Sequence, residues 1–547
     1  MKKISVIIVL ILILAPQYSF AEEEFLPIGL TEEEKTRLHE IGMYKSITEA
    51  PEGEIRNPAE WERSEGVIIR WPLGISVSLI AEMSEDVMVT TIVGSSSQQT
   101  TAINSYTSGG VNMGNAQFII APTNSIWTRD YGPWFIFADN TIGMVDPVYN
   151  RPRPQDDLIP GVLGAEWGVE VYGMDLITPG GNHMSNGLGS SMSTELVYNE
   201  NPGKTEAEVD SIILAYLGNV YTVLDYIESG GIHHIDCWAK FLSPSTIMVK
   251  DVPTSSPSYP LLNQRADWLS QQMSPWGVPY NIVRVYCPYG TAYTNSLILN
   301  DKVLVPIFSN SYDEQALQTY RDAMPGYEVL GFYGSWYDDD AIHCRTMGVP
   351  DMGHLRVHHV PLRDTTYIEN DYQLSVNVIA CSGQLLVADS LKIYYQVDGG
   401  SWDFEMLNAT AEPDSFVGLI PYQTPGSEIF YYIKAADESG RVETHPFVGA
   451  EGPHEFTIEG LAGCDYAVGD INNSGGLNGL DVTYAVAYLK GGPPPPYECE
   501  CTWGDIWFVA GDVNGSCSFN GLDVTYLVNY FKGGDAPTPC ADCPPIG

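Results

Sequence analysis

The stretch DDDAIHCRTMG (Asp338–Gly348) places a cysteine directly after a histidine, with three aspartates upstream. It holds the last of five polar clusters, which recur at intervals of 51, 53, 61 and 49 residues and are centred on Asp130, Gly181, His234, Asn295 and Cys344. Five similar strand-and-helix units around an axis would bring all five clusters to one centre. The alternative is coincidence, because five positions chosen by eye are a weak basis for a repeat.

The residues around these clusters, from 22 to 364, alternate between short apolar runs and helix-compatible stretches. EGVIIRWP, DVMVTTIVG and KVLVPIF are typical of strands. Glu314–Met324 and Thr205–Leu217 are predicted helices. Strand and helix in alternation predict an α/β architecture for this region.

The composition favours an exported protein that does not bind nucleic acids. A chain of 547 residues is too long for one domain, and its net charge of −43 excludes the basic surface that nucleic acids need. Residues 1–21 combine two lysines, an apolar run and a small-residue cleavage motif, which predict a secretory signal peptide. A membrane anchor is the alternative, although the run is short for a bilayer span. No later segment is apolar enough to span, so a secreted or cell-surface protein is expected.

Residues 365–460 have a different sequence pattern, with short strand-like runs and no alternating helical stretches. YQLSVNVIA, SLKIYYQVD and IFYYIKAAD are short strand-like runs separated by glycine, proline and aspartate turns. This pattern predicts an all-β sandwich of immunoglobulin or fibronectin type. It contains no cluster of catalytic residue types, so packing and spacing are its expected roles.

Residues 461–547 contain two copies of one motif, GDINNSGGLNGLDVTYAVAYLKGG and GDVNGSCSFNGLDVTYLVNYFKGG. Each copy places oxygen side chains where a calcium loop needs them, since Ca²⁺ takes six to eight oxygen ligands. The predicted ligands are Asp470, Asn472, Ser474, Asn478 and Asp481 in the first copy, and Asp512, Asn514, Ser516, Ser518, Asn520 and Asp523 in the second. The tandem resembles the duplicated calcium-loop module called dockerin, which implies a small helical module, bound Ca²⁺ and a cohesin-like or cell-surface partner. The alternative is a pair of glycine- and asparagine-rich turns without metal.

The ten cysteines are unevenly distributed. Six of them lie in this last region and predict a disulfide framework: Cys464, Cys499, Cys501, Cys517, Cys540 and Cys543. The other four, Cys237, Cys287, Cys344 and Cys381, are scattered and do not predict one.

The five clusters contain the residue types needed to attack a guanidinium carbon. Cys344 is a candidate nucleophile, and His234 is its candidate acid–base partner. Asp236 would share a face with His234 on a strand, and Asp130 adds a second carboxylate. Two carboxylates suit a guanidinium, whose planar donors form bidentate pairs. Each residue taken alone could instead have a structural role, such as a turn cap or a buried core histidine.

The motifs PAEWERSEGVIIRWP, WTRDYGPW, PGGNHMSNG, HHIDCWAKF, YTNS and HCRT, in this order, resemble the bacterial peptidylarginine deiminase family, a relative of the agmatine deiminases. The resemblance covers about residues 40–360. It implies the five-bladed α/β-propeller called the pentein fold. It also implies hydrolysis of a guanidino group to a ureido group with release of ammonia, without a metal or organic cofactor for this step.

Carried over to this chain, the resemblance implies a role for each matching residue. Cys344 would be the nucleophile that forms a covalent thiouronium intermediate, and His234 would protonate ammonia and then activate water. Asp130 and Asp236 would bind the guanidinium nitrogens. Asn295 would position and polarise the site, and Trp127 would cover the aliphatic stem of the substrate.

The neighbours of these residues are expected at most to support the site. His233 and His343 would face away from the catalytic side chains if they lay on strands. The aspartates Asp338–Asp340 would raise the pKa of the Cys344 thiol, so that the thiolate would form with the cationic substrate bound.

The loop YNRPRPQDD predicts the substrate. Arg151 and Arg153 are each followed by proline, and two guanidiniums in a stiff loop suit a carboxylate. The resemblance implies that such a pair holds the α-carboxylate of a C-terminal arginine, so arginine-containing peptides or proteins are the expected substrates. The alternative is a surface loop in which these arginines pair with Asp156 and Asp157.

Two departures from the family pattern favour a different substrate. Gly231 replaces a bulky aromatic residue, and Asp339 replaces a threonine and would suit a substrate with an extra amine. Agmatine deiminase, which makes N-carbamoylputrescine, is therefore the enzymatic alternative. A non-catalytic surface protein docked through its tail is a further alternative, and the complete catalytic set argues against it.

Overall fold

A computed structural model of the chain describes residues 25–227, 231–337, 340–366, 370–459, 465–496, 499–502, 505–540, 543 and 545. The predicted signal peptide at residues 1–21 lies outside these residues. Within the described part of the chain, no helix is both long enough and apolar enough to cross a membrane.

Four small sheets follow one another in residues 134–333 and share one topology. In each, an antiparallel pair of strands is followed by helical structure and by a third strand parallel to the middle one. The strands are Trp134–Ala138, Thr141–Val148 and Glu170–Ile177; Met184–Ser185, Ser190–Thr194 and Val220–Leu224; Ala239–Ser243, Thr246–Asp251 and Asn281–Tyr286; and Leu297–Leu299, Lys302–Ile307 and Glu328–Tyr333. Ile55–Arg56 adds an edge strand to the first of these sheets.

A fifth sheet joins the two ends of this region. It contains the parallel strands Ser64–Trp71, Met88–Val93 and Ala116–Ile120. Its antiparallel first strand, Met347–Pro350, comes from the far end of the region and pairs with Ser64–Trp71. Residues 55–350 therefore contain five sheets, the fifth built from strands of both ends of the region, and the prediction of an α/β region is confirmed.

Helices connect the parallel strands and cover the sheets. Their bounds are Val77–Asp86, Ser96–Gly109, Thr128–Tyr131, Pro154–Asp157, Ile159–Trp167, Leu196–Glu200, Glu206–Leu217, Tyr259–Leu269 and Asp313–Ala323. The helix predicted from Thr205 begins there with a capping box to Glu208 and ends at Gly218, whose φ of 68° suits a glycine. The second predicted helix is also confirmed, one residue earlier than expected at each end.

The five polar clusters occupy equivalent places in this repeated topology. Each lies in a short turn directly before the first strand of a sheet. The turns are Thr128–Tyr131, Gly180–Asn182, Ile235–Cys237, the residues around Asn295, and His343–Arg345. The regular spacing in the sequence is therefore the spacing of structural units, and coincidence is excluded.

The following region is all-β and has one hydrophobic core between two sheets. One sheet contains Leu355–His359, Tyr372–Ala380, Ser415–Ile420 and Asn408–Ala409, and the other contains Thr365–Thr366, His454–Glu459, Glu428–Ala436, Lys392–Val397, Asp403–Met406 and Val442–His445. Alternate residues of Tyr372–Ala380 are buried, as expected for a strand with one face on a core. Leu355–His359 belongs to this core, so the structure differs from the predicted boundary between residues 364 and 365.

The C-terminal region contains two helices, Gly479–Leu489 and Gly521–Tyr530, and the strands Cys499–Thr502 and Asp505–Trp507. Each helix follows one copy of the repeated motif and begins at its asparagine, Asn478 or Asn520, with a capping box. The helices pack together through a small apolar core that includes Ala485 and Leu527. Of the predicted disulfide framework, Cys517–Cys540 is formed.

Candidate active site

Cys344 lies in the 3₁₀ turn His343–Arg345, and its side chain is completely buried. The Nδ2 atom of Asn295 donates to its Sγ at 3.2 Å, and the thiol lies 3.5 Å from Oδ2 of Asp236. Asn295 also fixes the turn, because its Oδ1 accepts from the backbone N–H of Ala341 at 2.8 Å and of Cys344 at 3.2 Å. The thiol forms no disulfide within the described residues. It is held as a reagent between an amide and a carboxylate.

Asp130 and His234 lie on the other side of a small space beside Asp236. Oδ1 of Asp130 is 3.4 Å from Nδ1 of His234 and accepts from the backbone N–H of Gly181 at 3.1 Å. Both ring nitrogens of His234 are buried and without a hydrogen-bond partner in the described structure. A Cβ built on Gly181 would lie 2.7 Å from Nδ1 of His234, 2.8 Å from Oδ1 of Asp130 and 3.1 Å from Oδ2 of Asp236. Glycine at this position therefore keeps open the space between the three groups.

Burial and mutual repulsion set the charges in this site. Burial raises the pKa of Asp130 to about 8, and the charge of Asp236 contributes. Burial lowers the pKa of His234 to about 3, so its imidazole is neutral. Burial also raises the pKa of the Cys344 thiol well above its usual range, with contributions from Asp236, Asp130 and Asp340. The site without substrate therefore favours a neutral thiol, as the acidic surroundings predict.

His343, expected at most to support the site, holds Asp236 in its charged form, and Glu60, which was not among the predicted site residues, pairs with His343. The Nδ1 atom of His343 lies 2.7 Å from Oδ2 of Asp236, and its Nε2 lies 2.5 Å from Oε2 of Glu60. Lys240 and Arg129 pair with the same Glu60, at 2.8 and 3.5 Å. Burial alone would raise the pKa of Asp236, but the hydrogen bond and charge of His343 outweigh it and lower that pKa.

The expectation that His343 faces away from the site is wrong. It assumed a strand, where adjacent side chains alternate, whereas a 3₁₀ turn rotates each residue by about 120° and can turn neighbours toward one site. His233, in contrast, has a φ of 60° and stacks on the ring of Tyr226 at 3.9 Å. It supports the loop before His234.

A cavity of about 750 Å³ lies outside the catalytic residues. Trp127 and Arg345 line it, and Arg345 pairs with Asp340 at 2.6 Å. Trp127 is buried, packs in one apolar cluster with Cys344, and has the Arg345 guanidinium 5.3 Å from its ring centroid. It is therefore placed to contact the apolar stem of a molecule that reaches Cys344 from this cavity.

The model of the Porphyromonas-type peptidyl-arginine deiminase family matches residues 56–350, which is more than half of the chain. The chain belongs to this family. The matched residues include all five catalytic clusters and the five sheets that carry them.

Relatives and solved structures agree with this assignment. A Marinomonas protein (strain MWYL1) named "Putative agmatine deiminase" is 24% identical over 55% of this chain and 96% of its own length. An Enterococcus faecalis protein of the same name is 26% identical over 42% of this chain and 75% of its own length. The solved agmatine deiminase of Enterococcus faecalis, 21% identical, covers 56% of this chain and all of its own, with a TM-score of 0.51, and shows the same fold. The chain is therefore a deiminase of the arginine and agmatine type.

The arginine pair of this deiminase is buried beneath an N-terminal segment, residues 25–34. Arg153 is 1% exposed and pairs through Nε with Oε1 of Glu34 at 2.7 Å. Arg151 donates from Nε to the carbonyl of Ile28 at 3.0 Å and lies 4.0 Å from Glu200. None of the predicted site residues lies in this segment.

The pairing of these arginines with the neighbouring aspartates is not observed. Asp157 pairs with Lys45 at 2.9 Å, and Asp156 accepts from the hydroxyl of Ser125 at 2.6 Å. A surface loop is also excluded, since Arg151 is 8% and Arg153 1% exposed.

Of the two departures from the family pattern, one can be located. Gly231 has a φ of 92°, which suits glycine, and lies in the wall of the large cavity. Asp339 lies outside the described residues.

The predicted calcium ligands of the first C-terminal loop are brought together. The carboxylates of Asp470 and Asp481 are 4% and 0% exposed and accept from backbone N–H groups of the loop. The Oδ1 atom of Asn472 is buried without a partner in the described structure. Ser474 and Asn478 are hydrogen-bonded to each other at 3.3 Å. Two buried carboxylates and an orphaned oxygen fit a bound cation.

The second loop repeats this arrangement. Asp512 and Asp523 are fully buried, and Asp512 accepts from the backbone of Ser516 at 3.1 Å. The amide of Asn514 donates to Asp523 at 2.7 Å, and burial raises the pKa of Asp523, with a contribution from Asp512. The remaining predicted ligands lie beside them on the loop, with Ser518 hydrogen-bonded to Ser516 and Asn520.

Proposed function

We propose that this deiminase hydrolyses the guanidino group of arginine at the C-terminus of peptides, giving citrulline and ammonia. One observation carries the chemistry: the buried Cys344 thiol lies against Asp236, with Asp130 and His234 around the space that Gly181 leaves open. Two carboxylates beside a nucleophile match a guanidinium, which is cationic and has donors on two edges. We also infer that the five sheets form the blades of a propeller around this site.

The residues can perform the reaction as a balanced sequence of steps. The thiol proton moves to the neutral His234, and Sγ of Cys344 attacks the guanidinium carbon between Asp130 and Asp236. The C–N bond breaks, and His234 gives the proton to the departing ammonia. Water then loses a proton to His234 and attacks the thiouronium carbon, and the C–S bond breaks. His234 returns its proton to the departing thiolate, and the ureido product loses its remaining proton to solvent, where the released ammonia becomes ammonium.

The size of the cavity supports a peptide substrate. At about 750 Å³ it falls in the range of sites for drug-sized ligands, and a guanidine stem alone does not need this space. The buried pair Arg151 and Arg153 supplies charge that suits a carboxylate.

Agmatine is the second candidate substrate, and one contact favours it. Glu34 already occupies Arg153 at 2.7 Å, and agmatine has no carboxylate that would compete for this arginine. The test is ammonia release from a peptide ending in arginine, the same peptide with arginine internal, and agmatine. Turnover of the first alone supports the proposal, whereas turnover of agmatine alone replaces it with the second candidate.

The pH dependence of kcat/KM for whichever guanidine is turned over best should reveal the charge of Asp130. Its pKa is raised to about 8 by burial and by Asp236, and only the ionised carboxylate can pair with a guanidinium. We therefore expect kcat/KM to rise from pH 6 to pH 9 with a midpoint near 8, because this parameter reports the free enzyme. A saturated enzyme should depend less on pH, since the bound cation keeps Asp130 ionised. A flat kcat/KM profile would contradict this assignment.

We propose that the C-terminal module binds two Ca²⁺ ions and docks the exported enzyme to a cohesin-like or cell-surface partner. The buried carboxylates and the free oxygen of Asn472 support the metal, and the duplicated motif supports docking. We also propose that the β region is immunoglobulin-like and separates this module from the enzyme, and that residues 1–21 direct export.

Removing calcium should destabilise the C-terminal module and leave deimination unchanged. At a Ca²⁺ concentration 100 times the Kd, binding stabilises the folded module by about 2.7 kcal/mol. Calorimetry of the full chain should show one unfolding transition, that of the C-terminal module, at a lower temperature with a chelator than with Ca²⁺. Asp481→Asn and Asp523→Asn should reduce the shift, and Asp535→Asn, an exposed acid outside both loops, should not. An unchanged transition would leave the loops as metal-free turns.

A further inference from the structure

The N-terminal segment, residues 25–34, lines the large cavity with its first four residues and packs over the apolar cluster that contains the nucleophile. The indole N–H of Trp127 donates to the carbonyl of Leu26 at 3.0 Å. Ile28 packs against the apolar cluster that contains Trp127 and Cys344. Cys344 has no exposed surface, so a substrate reaches it only if this segment moves or makes room.

The same segment satisfies the guanidinium of Arg153. Glu34 accepts from Nε at 2.7 Å and from Nη2 at 3.2 Å, which is a bidentate pair. The carbonyls of Pro27 and Gly29 accept from Nη2 at 2.7 and 3.1 Å. Both partners of the pair are buried, with Arg153 1% and Glu34 2% exposed. In the proposed function, the carboxylate of a C-terminal arginine would need this same contact with Arg153.

The segment lies outside the residues by which the family is recognised, since the family match begins at residue 56. Its last turn is stabilised by reciprocal hydrogen bonds between Thr31 and Glu34 at 2.8 and 3.1 Å, which hold the Glu34 carboxylate in place. Because Glu34 is part of the same chain, its effective concentration at Arg153 is far above that of a free peptide.

We propose that Glu34 is a specificity-determining residue, which latches residues 25–34 over the entrance and competes with the substrate carboxylate for Arg153. This inference rests on the proposed deimination of arginine-ending peptides. The intact latch hinders the entry of every guanidine, and it also reduces the advantage of a free α-carboxylate over a substrate that lacks one. A peptide that ends in arginine must displace Glu34 and open the entrance in the same event.

The direct test is Glu34→Gln in the full mature chain. Glutamine retains the hydrogen bonds to Thr31 but loses the charge that competes for Arg153. The readout is the ratio of kcat/KM for an arginine-ending peptide to that for its C-terminal amide. We expect the ratio to rise about tenfold, which corresponds to about 1.4 kcal/mol. The matched control is Glu32→Gln, because Glu32 is 91% exposed and pairs with Lys35 alone in the described structure.

The ratio separates specificity from stability, because a merely structural loss would lower both rates together. An unchanged or lower ratio would overturn the proposal while leaving the deiminase intact. Absence of turnover with every guanidine would instead contradict the proposed function.

A second measurement is independent of turnover and uses the inactive Cys344→Ala variant with Glu34 unchanged. Hydrogen exchange of residues 25–34 is followed with the arginine-ending peptide and with its amide. We expect faster exchange with the free acid than with the amide, because only the free acid displaces Glu34 from Arg153. Equal exchange with both bound peptides would overturn the latch.

A third readout is the alkylation rate of Cys344 in Glu34→Gln, measured by peptide mapping. Opening of the entrance should raise it severalfold relative to wild type, with the partly exposed Cys381 as internal reference. An unchanged Cys344 rate would show that Glu34 does not hold the segment closed.

Discussion

Replacing Cys344 by serine is expected to lower ammonia release by about 10⁴-fold or more, as for other covalent nucleophiles. A serine hydroxyl is a far weaker nucleophile here, because the buried acidic site that already raises the pKa of the thiol opposes an alkoxide much more strongly. The fold should be unaffected, since a hydroxyl can keep the contact with Asn295. The measurement is kcat/KM for the best substrate, together with the melting temperature of each variant.

The matched control is Cys381→Ser, because Cys381 is partly exposed and belongs to the β region. This variant should retain full activity. Activity of Cys344→Ser within tenfold of wild type would exclude Cys344 as the nucleophile, whatever the outcome for the tail or the N-terminal segment.

The catalytic centre could be predicted because its spacing follows the repeated sheets. Each cluster comes directly before the first strand of a sheet. Clusters at similar intervals in the sequence therefore meet at one site in the fold. Asp130, His234, Asp236, Asn295 and Cys344 are accordingly all brought to one site.

Glu60 was missed because nothing local distinguishes it from an exposed acid in PAEWERSEG. It acts 283 positions from His343 in the sequence, and only the fold brings the two together. The role of His343 was misjudged because a strand was assumed where a 3₁₀ turn occurs. Sequence periodicity is informative over several turns of regular structure and not over three residues.

The partner of Arg153 was unpredictable for the same reason. Residues 151–157 place two arginines shortly before two aspartates, so these aspartates are the obvious partners in sequence. The observed partner, Glu34, is 119 positions away. Asp157 instead pairs with Lys45, and Asp156 accepts a hydrogen bond from Ser125. Arg153 is buried, and burial favours a partner with good bidentate geometry, which Glu34 supplies and the neighbouring aspartates do not.

Replacing Gly181 by alanine should reduce kcat/KM by about 100-fold or more, because displacements near 1 Å in a catalytic site have effects of this size. The new methyl would lie within 3.1 Å of His234, Asp130 and Asp236, closer than van der Waals contact allows. It would occupy the space between the two carboxylates, where we propose that the guanidinium binds. Every proposed catalytic side chain would remain in the variant, so a loss of activity would result from steric exclusion of the substrate.

The control for this variant is Gly161→Ala, whose Cβ would have no neighbour within 4 Å and which lies in the helix Ile159–Trp167. Alanine there should leave activity unchanged and stabilise the fold by up to about 1 kcal/mol. Binding of free guanidinium to Gly181→Ala, measured as competitive inhibition of residual turnover, should weaken in parallel with kcat/KM. Wild-type activity with Gly181→Ala would place the guanidinium elsewhere and separate Asp130 from the substrate. Weakened turnover with normal inhibition would mean that the methyl displaces His234 and leaves the cation site intact.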